Sequence, residues 1–224
     1  MNFDFHTHTK FSRDSLSDPL KLIEHAKKIG LGGIAITDHN NIDAYNILDT
    51  KLKTLNTEHK TFFVICGEEI NTDKGEVIAL FLNEKITPGP LGEVLDRATE
   101  QNAFVFIPHP FDRLRKKRLD PTPLDKKTLN LINGIETLNS RIVYWKEGTR
   151  KAIEFAKKNK KPMLGGSDAH FISEIGKCHT ILPECSDIEE VRKHLFNGNI
   201  TAEGNSGSPI WHLGTKIVKL LKHK

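Results

Sequence analysis

Five short clusters of His, Asp and Glu punctuate this chain: His6-Thr7-His8, Asp38-His39, Glu68-Glu69, His109-Pro110 and Asp168-Ala169-His170. They offer imidazole and carboxylate but no thiolate, a donor set that suits zinc, manganese or iron. In an H-x-H pair on a strand, alternation turns both imidazoles to one side, as two ligands of one ion require. Asp14 lies six residues beyond His8, in a polar loop able to fold back over the same mouth. Of the adjacent Glu68 and Glu69, alternation lets only one face the metals, and Glu76 begins the strand that returns. Two ions about 3.5–4 Å apart hold a hydroxide between them and clamp the oxygens of a displacement at phosphorus. The chain has no phosphate-cradling G-x-x-x-x-G-K loop and no serine nucleophile elbow. The expected nucleophile is therefore a hydroxide made by two or three divalent ions.

The elements that must position these side chains are legible as alternation. Each cluster follows a short apolar run: Phe3 to Phe5, Ile34 to Ile36, Phe62 to Ile65, Phe104 to Ile107, and Met163-Leu164 with two glycines. Such runs read as buried parallel strands. Ligands at the carboxyl ends of successive strands converge on one mouth of a barrel or open sheet. Between the strands, Asp18-Pro19 caps a helix that Gly30 stops. Further helices are predicted over about 43–55, 91–102, 124–132 and 144–158. An Asp73-Lys74-Gly75 turn joins a strand ending near Ile70 to one covering about 77–82. Ser186-x-x-Glu189 reads as a capping box for a helix that Gly198 closes. The absence of repeats and linkers before about Gly204 argues for one α/β domain over 1–205. Residues 206–224 form a separate amphipathic, basic helix whose Trp211, Ile217, Leu220 and Leu221 are expected to pack on the barrel or on a second subunit.

Composition bounds the partners. With 37% hydrophobic and 28% charged residues, the 224-residue chain has the make-up of a globular domain able to fill one core. Its 33 basic and 29 acidic residues leave a net charge of +4, too weak a bias to argue for nucleic acid. Aromatics at 7% give few base-stacking platforms, so no stable nucleic-acid complex is expected. Three cysteines without C-x-x-C spacing, no signal-peptide pattern and no long apolar run fit a cytoplasmic location without a membrane span.

In order along the chain stand D-F-H-T-H-T at 4–9, S-R-D-S at 12–15, I-T-D-H-N at 36–40, G-E-E-I at 67–70, I-P-H-P-F at 107–111, G-I-E at 134–136 and G-S-D-A-H at 166–170. Through these motifs the chain resembles the PHP family, named for polymerase and histidinol phosphatase. The resemblance covers roughly residues 1–205. It implies a distorted seven-stranded β/α barrel, TIM-like, with a trinuclear centre that hydrolyses phosphoesters. It implies His6, His8, Asp14, His39, Glu69, His109, Asp168 and His170 as metal ligands, with Glu69 bridging. Glu76 stands where many members have His and joins the set as an oxygen ligand.

Catalytic roles are expected of Glu69 and Asp168, which place the ions, and of Arg113, four residues after His109, as a bidentate clamp on substrate phosphate. The other reading of Arg113 is a solvated member of the run Arg113, Arg115, Lys116, Lys117 and Arg118. Glu136 and Asn139, at one strand end, are read as supports of the ligands or contacts of the substrate. The expected activity is hydrolysis of a small phosphorylated metabolite or a nucleotide. An exonuclease-like phosphodiesterase and a non-catalytic metal-binding regulatory barrel are the alternatives, and the oligomeric state is left open.

Overall fold

A computed structural model describes residues 1–48 and 62–222. Strands β1 (Asn2–Thr7), β2 (Gly33–Ile36), β3 (Phe63–Thr72), β4 (Gly75–Leu80), β5 (Phe104–Ile107), β6 (Gly134–Asn139) and β7 (Met163–Gly166) lie side by side in chain order. β4 runs antiparallel to both neighbours; the other pairs in this series are parallel. The chain just after β7 returns to β1: the Asp168 amide donates to the His6 carbonyl at 2.8 Å, and the His8 amide to the Ala169 carbonyl at 2.8 Å. Those bonds bring the two ends of the series together in a nearly closed, distorted barrel. Beyond the seven strands, β8 (Cys178–Ile181) pairs antiparallel with β1, and β9 (Thr201–Gly204) pairs with β8. This two-stranded extension has no counterpart in the sequence reading, because its pattern is too short to separate from loop.

Helices α1 (Pro19–Lys28), α2 (described over 43–48), α3 (Leu91–Glu100), α4 (Lys126–Asn130), α5 (Trp145–Lys158) and α6 (Ile188–Asn197) connect the strands. The remainder of the helix expected over 43–55 lies outside the described residues. Asp18 caps α1 through the amides of Leu20 and Lys21, with Pro19 in its first turn. Gly198 ends α6 in the left-handed conformation, φ 68°. The expected box at Ser186 sits one residue later: Asp187 is the cap, accepting from the Glu190 amide, while the Ser186 amide donates to the Glu190 carboxylate at 2.7 Å. Inside the barrel, Phe3, Phe5, Ile65, Ile78, Leu80, Phe104 and Phe106 pack together fully buried. Each such side chain contributes roughly 1.5–3 kcal/mol by leaving water.

Two strands carry one residue too many for their partners. β1 slips against β2 between Asp4 and Thr7, and β6 slips against β7 between Glu136 and Leu138. Bulges of this kind re-aim side chains near functional sites. They fall on the stretches that present His6 and Glu136.

Helix α7 (Ile210–Lys222) follows β9. Val218 is buried and the Trp211 ring lies 5.2 Å from Phe171, but Ile217, Leu220 and Leu221 are exposed. Polar contacts also hold the helix. Lys222 Nζ donates to the carbonyls of Lys10, Ser12 and Ser15 at 2.7, 2.7 and 2.6 Å, and Arg141 donates to the Trp211 carbonyl at 2.9 Å. Deleting residues 208–224 is expected to remove on the order of 3 kcal/mol of such contacts, bonds to charged groups being worth about 1.5–3 kcal/mol each. That corresponds to a Tm lower by roughly 6–12 °C in a thermal melt. An unchanged Tm in the truncated chain would show that α7 adds nothing to the barrel.

Candidate metal centre

Glu69 is the hub of a buried cluster. Its Oε2 lies 3.6 Å from His6 Nε2, 3.4 Å from His8 Nε2 and 3.0 Å from His39 Nδ1, and its Oε1 lies 3.1 Å from His109 Nε2. Asp168 Oδ1 is a second hub, 3.5 Å from His6 Nε2, 3.4 Å from His8 Nε2 and 3.5 Å from His170 Nδ1. Asp14 reaches His39 at 3.6 Å and His170 at 3.3 Å. Glu76 joins His39 and Glu69 in a compact trio of donor atoms. The chain thus gathers in one place all nine residues singled out for metal ligation. His6, His8, Glu69, His109 and Asp168 have no solvent exposure at all.

Local structure explains how strand ends deliver them. His109 and Asp168 sit at positive φ, 32° and 55°, in a region that costs a non-glycine residue about 1–3 kcal/mol. The His109 amide donates to Glu136 Oε2 at 2.7 Å, which holds that bend. Glu136 Oε1 meets His6 Nδ1 at 2.9 Å, leaving Nε2 aimed at Glu69 and Asp168. A Cβ on Gly166 would lie 2.4 Å from Glu136 Oε1 and 2.7 Å from His6 Cβ, so only glycine leaves room for this pair. His170 Nδ1 donates to the Asp168 carbonyl at 2.8 Å, turning its Nε2 toward Asp14. Asp38, beside His39, ties down the loop after β1, accepting from the Thr9 amide at 2.7 Å and the Ser12 hydroxyl at 2.7 Å. Glu68 points away and accepts from the Ile86 amide at 2.9 Å, as alternation with Glu69 demands.

The electrostatics are those of charges crowded in a dry site. Burial pulls His6 and His39 down, but the carboxylates outweigh it: Glu136, Asp168 and Glu69 hold His6 well above its usual range, and Glu69 and Asp14 bring His39 to about 10. Burial dominates for His8 and, with His8 and Arg141 nearby, lowers His170 to about 3. Glu69 and Asp168 stay ionised despite burial because imidazoles surround both and Arg115 faces Asp168. Burial and the neighbouring Glu69 raise Glu76. Six polar atoms at the centre are buried without a hydrogen-bond partner: His6 Nε2, His8 Nε2, Asp14 Oδ1, Glu69 Oε2, His109 Nδ1 and Asp168 Oδ1. Buried polar atoms are normally paired. These ring nitrogens and carboxylate oxygens converge on one another, a donor set that fits divalent cations, whose binding displaces the proton from an imidazole.

The arginine expectation needs correction. Arg113 projects into solvent and pairs with Glu147 at 2.5 Å, on the far side of its loop. Arg115 enters the cluster instead, bonded to Asp168 and lying 3.2 Å from His109 Nε2, with Asp112 steadying it at 3.3 Å. Two residues of spacing reverse the direction of a side chain in this loop. Asp112 three residues before Arg115 was the available signal, and the surrounding basic run concealed it.

The domain description "PHP domain" matches residues 4–101, and "PHP-associated" matches residues 147–200. This chain belongs to the PHP family. The uncharacterized protein MJ0417 of Methanocaldococcus jannaschii is 38% identical over 182 residues, 80% of this chain and 69% of that protein. Among solved structures, a two-domain protein from Bacteroides vulgatus containing a predicted PHP-like metal-dependent phosphoesterase is 22% identical with a TM-score of 0.72. The match covers 92% of this chain but only 65% of that longer one. PsfC from Pseudomonas syringae, 18% identical, has a TM-score of 0.70 with 98% of each chain covered. At such identities the likeness is one of fold.

Removing the groups that orient a PHP ligand should loosen the ions more than the fold. Glu136→Gln is expected to weaken metal affinity by about 10–100-fold, the usual cost of losing a carboxylate behind a ligating imidazole. Glu76→Ala should lower the metal content found by elemental analysis while leaving the melting transition nearly unchanged. Full metal occupancy in both variants would remove these two carboxylates from the site.

Proposed function

We propose that this chain is a metal-dependent phosphoesterase that hydrolyses a small phosphorylated metabolite or a nucleotide. The observation that carries the reading is the pair of buried carboxylates, Glu69 and Asp168, each shared among imidazoles, with the Nε2 atoms of His6 and His8 facing both and lacking a hydrogen-bond partner. Two or three divalent ions, zinc, manganese or iron, would supply an activated water and neutralise negative charge at phosphorus. His6, His8, Asp14, His39, Glu69, Glu76, His109, Asp168 and His170 would hold them, with Glu69 as the shared carboxylate.

The chain's own groups provide the rest. Glu136 fixes the ring of His6, and the Asp168 carbonyl fixes that of His170. Arg115 brings a planar guanidinium to the edge of the cluster, where it offers paired donors to phosphoryl oxygens and stabilises charge that develops as the ester bond breaks. Burial excludes bulk water and strengthens each of these interactions. The catalytic assignments are therefore Glu69, Asp168 and Arg115, with Arg113 removed from the set. No described helix is long and apolar enough to cross a membrane.

Hydrolysis of an aryl phosphate should be abolished by chelator and restored by manganese. His8→Ala, Glu69→Gln and Asp168→Asn should each lower turnover by on the order of a hundredfold or more. Wild-type rates in all three folded variants would place the chemistry elsewhere. A panel of phosphomonoesters, nucleotides and short oligonucleotides distinguishes the metabolite reading from an exonuclease-like one.

The two arginines give an internal control. Arg115→Ala should raise KM and lower kcat, and Arg115→Lys should recover only part of the loss because an ammonium lacks the fork. Arg113→Ala should leave steady-state kinetics unchanged. The reverse order of effects would return Arg113 to the site.

A further inference from the structure

Helix α7 lies outside both stretches that match the family descriptions, yet it touches the cluster. Its thirteen residues span about 20 Å. At one end, Arg141, which follows β6, donates to the Trp211 carbonyl at 2.9 Å and to Thr215 Oγ1 at 3.2 Å, while His212 Nε2 donates to the Arg141 carbonyl at 2.7 Å. In the middle, Gly214 rests on Phe171, the residue after His170. A Cβ there would lie 2.9 Å from the Phe171 ring, so a larger residue would have to displace that ring. At the other end, Lys222 is clamped by three carbonyls of the loop that carries Asp14. The helix therefore crosses the mouth above β6, β7 and β1.

Lys219 sits three residues before Lys222 and so lies on nearly the same helix face. The two lysines differ in what they touch. Lys222 has all three donors satisfied by carbonyls, so its role is to hold the helix. Lys219 Nζ lies 3.6 Å from Asp14 Oδ2, beyond hydrogen-bond range, with its side chain 41% exposed at the rim. Among the described residues its ammonium makes no hydrogen bond. Across the cluster Arg115 faces Asp168. One cation thus borders the candidate ligands from the β5 side and another from the β1 side.

We propose that α7 is a cap on the mouth and that Lys219 binds the substrate's phosphate opposite Arg115. This rests on the phosphoesterase reading and extends it to a chain-specific element. Positive charge added on opposite flanks suits a terminal phosphate, which carries more negative charge than an internal diester. A helix laid over one sector also limits the bulk that can accompany the phosphate.

The experiment uses the metal-loaded full chain and inorganic phosphate as probe. Lys219→Met should weaken phosphate binding, measured by titration calorimetry, by roughly tenfold or more, the usual effect of losing one charged hydrogen bond. KM for an aryl phosphate should rise in parallel while kcat, metal content and Tm hold. Lys219→Arg should recover part of the affinity. Lys222→Met should instead lower Tm, as loss of an anchor would.

Wild-type phosphate affinity in Lys219→Met overturns the proposal. So does a variant that loses metal but binds phosphate normally once metal is restored, since Lys219 would then serve only as counter-ion to Asp14. If wild-type protein binds phosphate through Lys219 yet hydrolyses no phosphoester, the cap stands and the phosphoesterase reading falls. If wild-type protein binds no phosphate, the cap falls with it.

Discussion

The structure depends on one arrangement: carboxylates and imidazoles sharing a dry cavity at the seam where the barrel closes. Glu69 and Asp168 are fully buried, and an isolated charge in such a place is far too costly to persist. They are tolerated because imidazoles and Arg115 surround them, and because the same residues close the fold. The amide of Asp168 bonds to the carbonyl of His6, and the amide of His8 to that of Ala169. The backbone of the candidate ligands is thus the hydrogen-bonded joint between the first and last barrel strands. A change that displaces His6 or Asp168 acts on the cluster and on barrel closure together.

Placing so many ligands at one mouth demands departures from regular geometry, and these are concentrated there. The extra residues in β1 and β6 re-aim side chains that strict alternation would turn elsewhere. Positive φ at His109 and Asp168 bends the chain sharply at the ends of β5 and β7. Gly166 admits Glu136 against His6 at a distance no side chain would permit. The strain is offset by the layer behind the ligands, in which Glu136 bonds to both His6 and His109 and Asp38 ties Thr9 to Ser12.

How much of this was legible depended on what each feature is made of. The five clusters and their apolar strands follow local periodicity, which survives folding because each strand buries its own run, and the match of motifs in order pointed to the PHP family. The β3–β4 hairpin was visible in Asp73-Lys74-Gly75, with Thr72 paired to Gly75. Features that arise between distant segments were not. That Glu136 rather than another acid faces His6 is decided by a bulge and by Gly166, thirty residues away. Whether Arg113 or Arg115 enters the site is decided by the path of a loop whose basic residues look alike in sequence. The apolar residues of α7 suggested packing on the barrel or on a second subunit; on this chain Trp211 and Val218 pack, and the polar anchors that also seat the helix carried no signal in the sequence.

The position of α7 follows from the same seam. Elsewhere around the barrel, neighbouring strands pair with each other directly. Between β7 and β1 the join is made largely by the backbone that carries Asp168, Ala169 and His170, with a single bridge between Thr7 and Ala169. Asp14 and His170, which stand above this join, keep slight solvent exposure, whereas His6, His8, Glu69, His109 and Asp168 have none. A helix laid here shields this side of the cluster. It also binds the loop after β1 to the loop after β6, through Lys222 at one end and Arg141 at the other. Arg141 reaches the Asp168 carbonyl at 3.5 Å as well, so the cap is linked to the joint that closes the barrel. Cover, closure and cluster are consequently parts of one hydrogen-bonded unit.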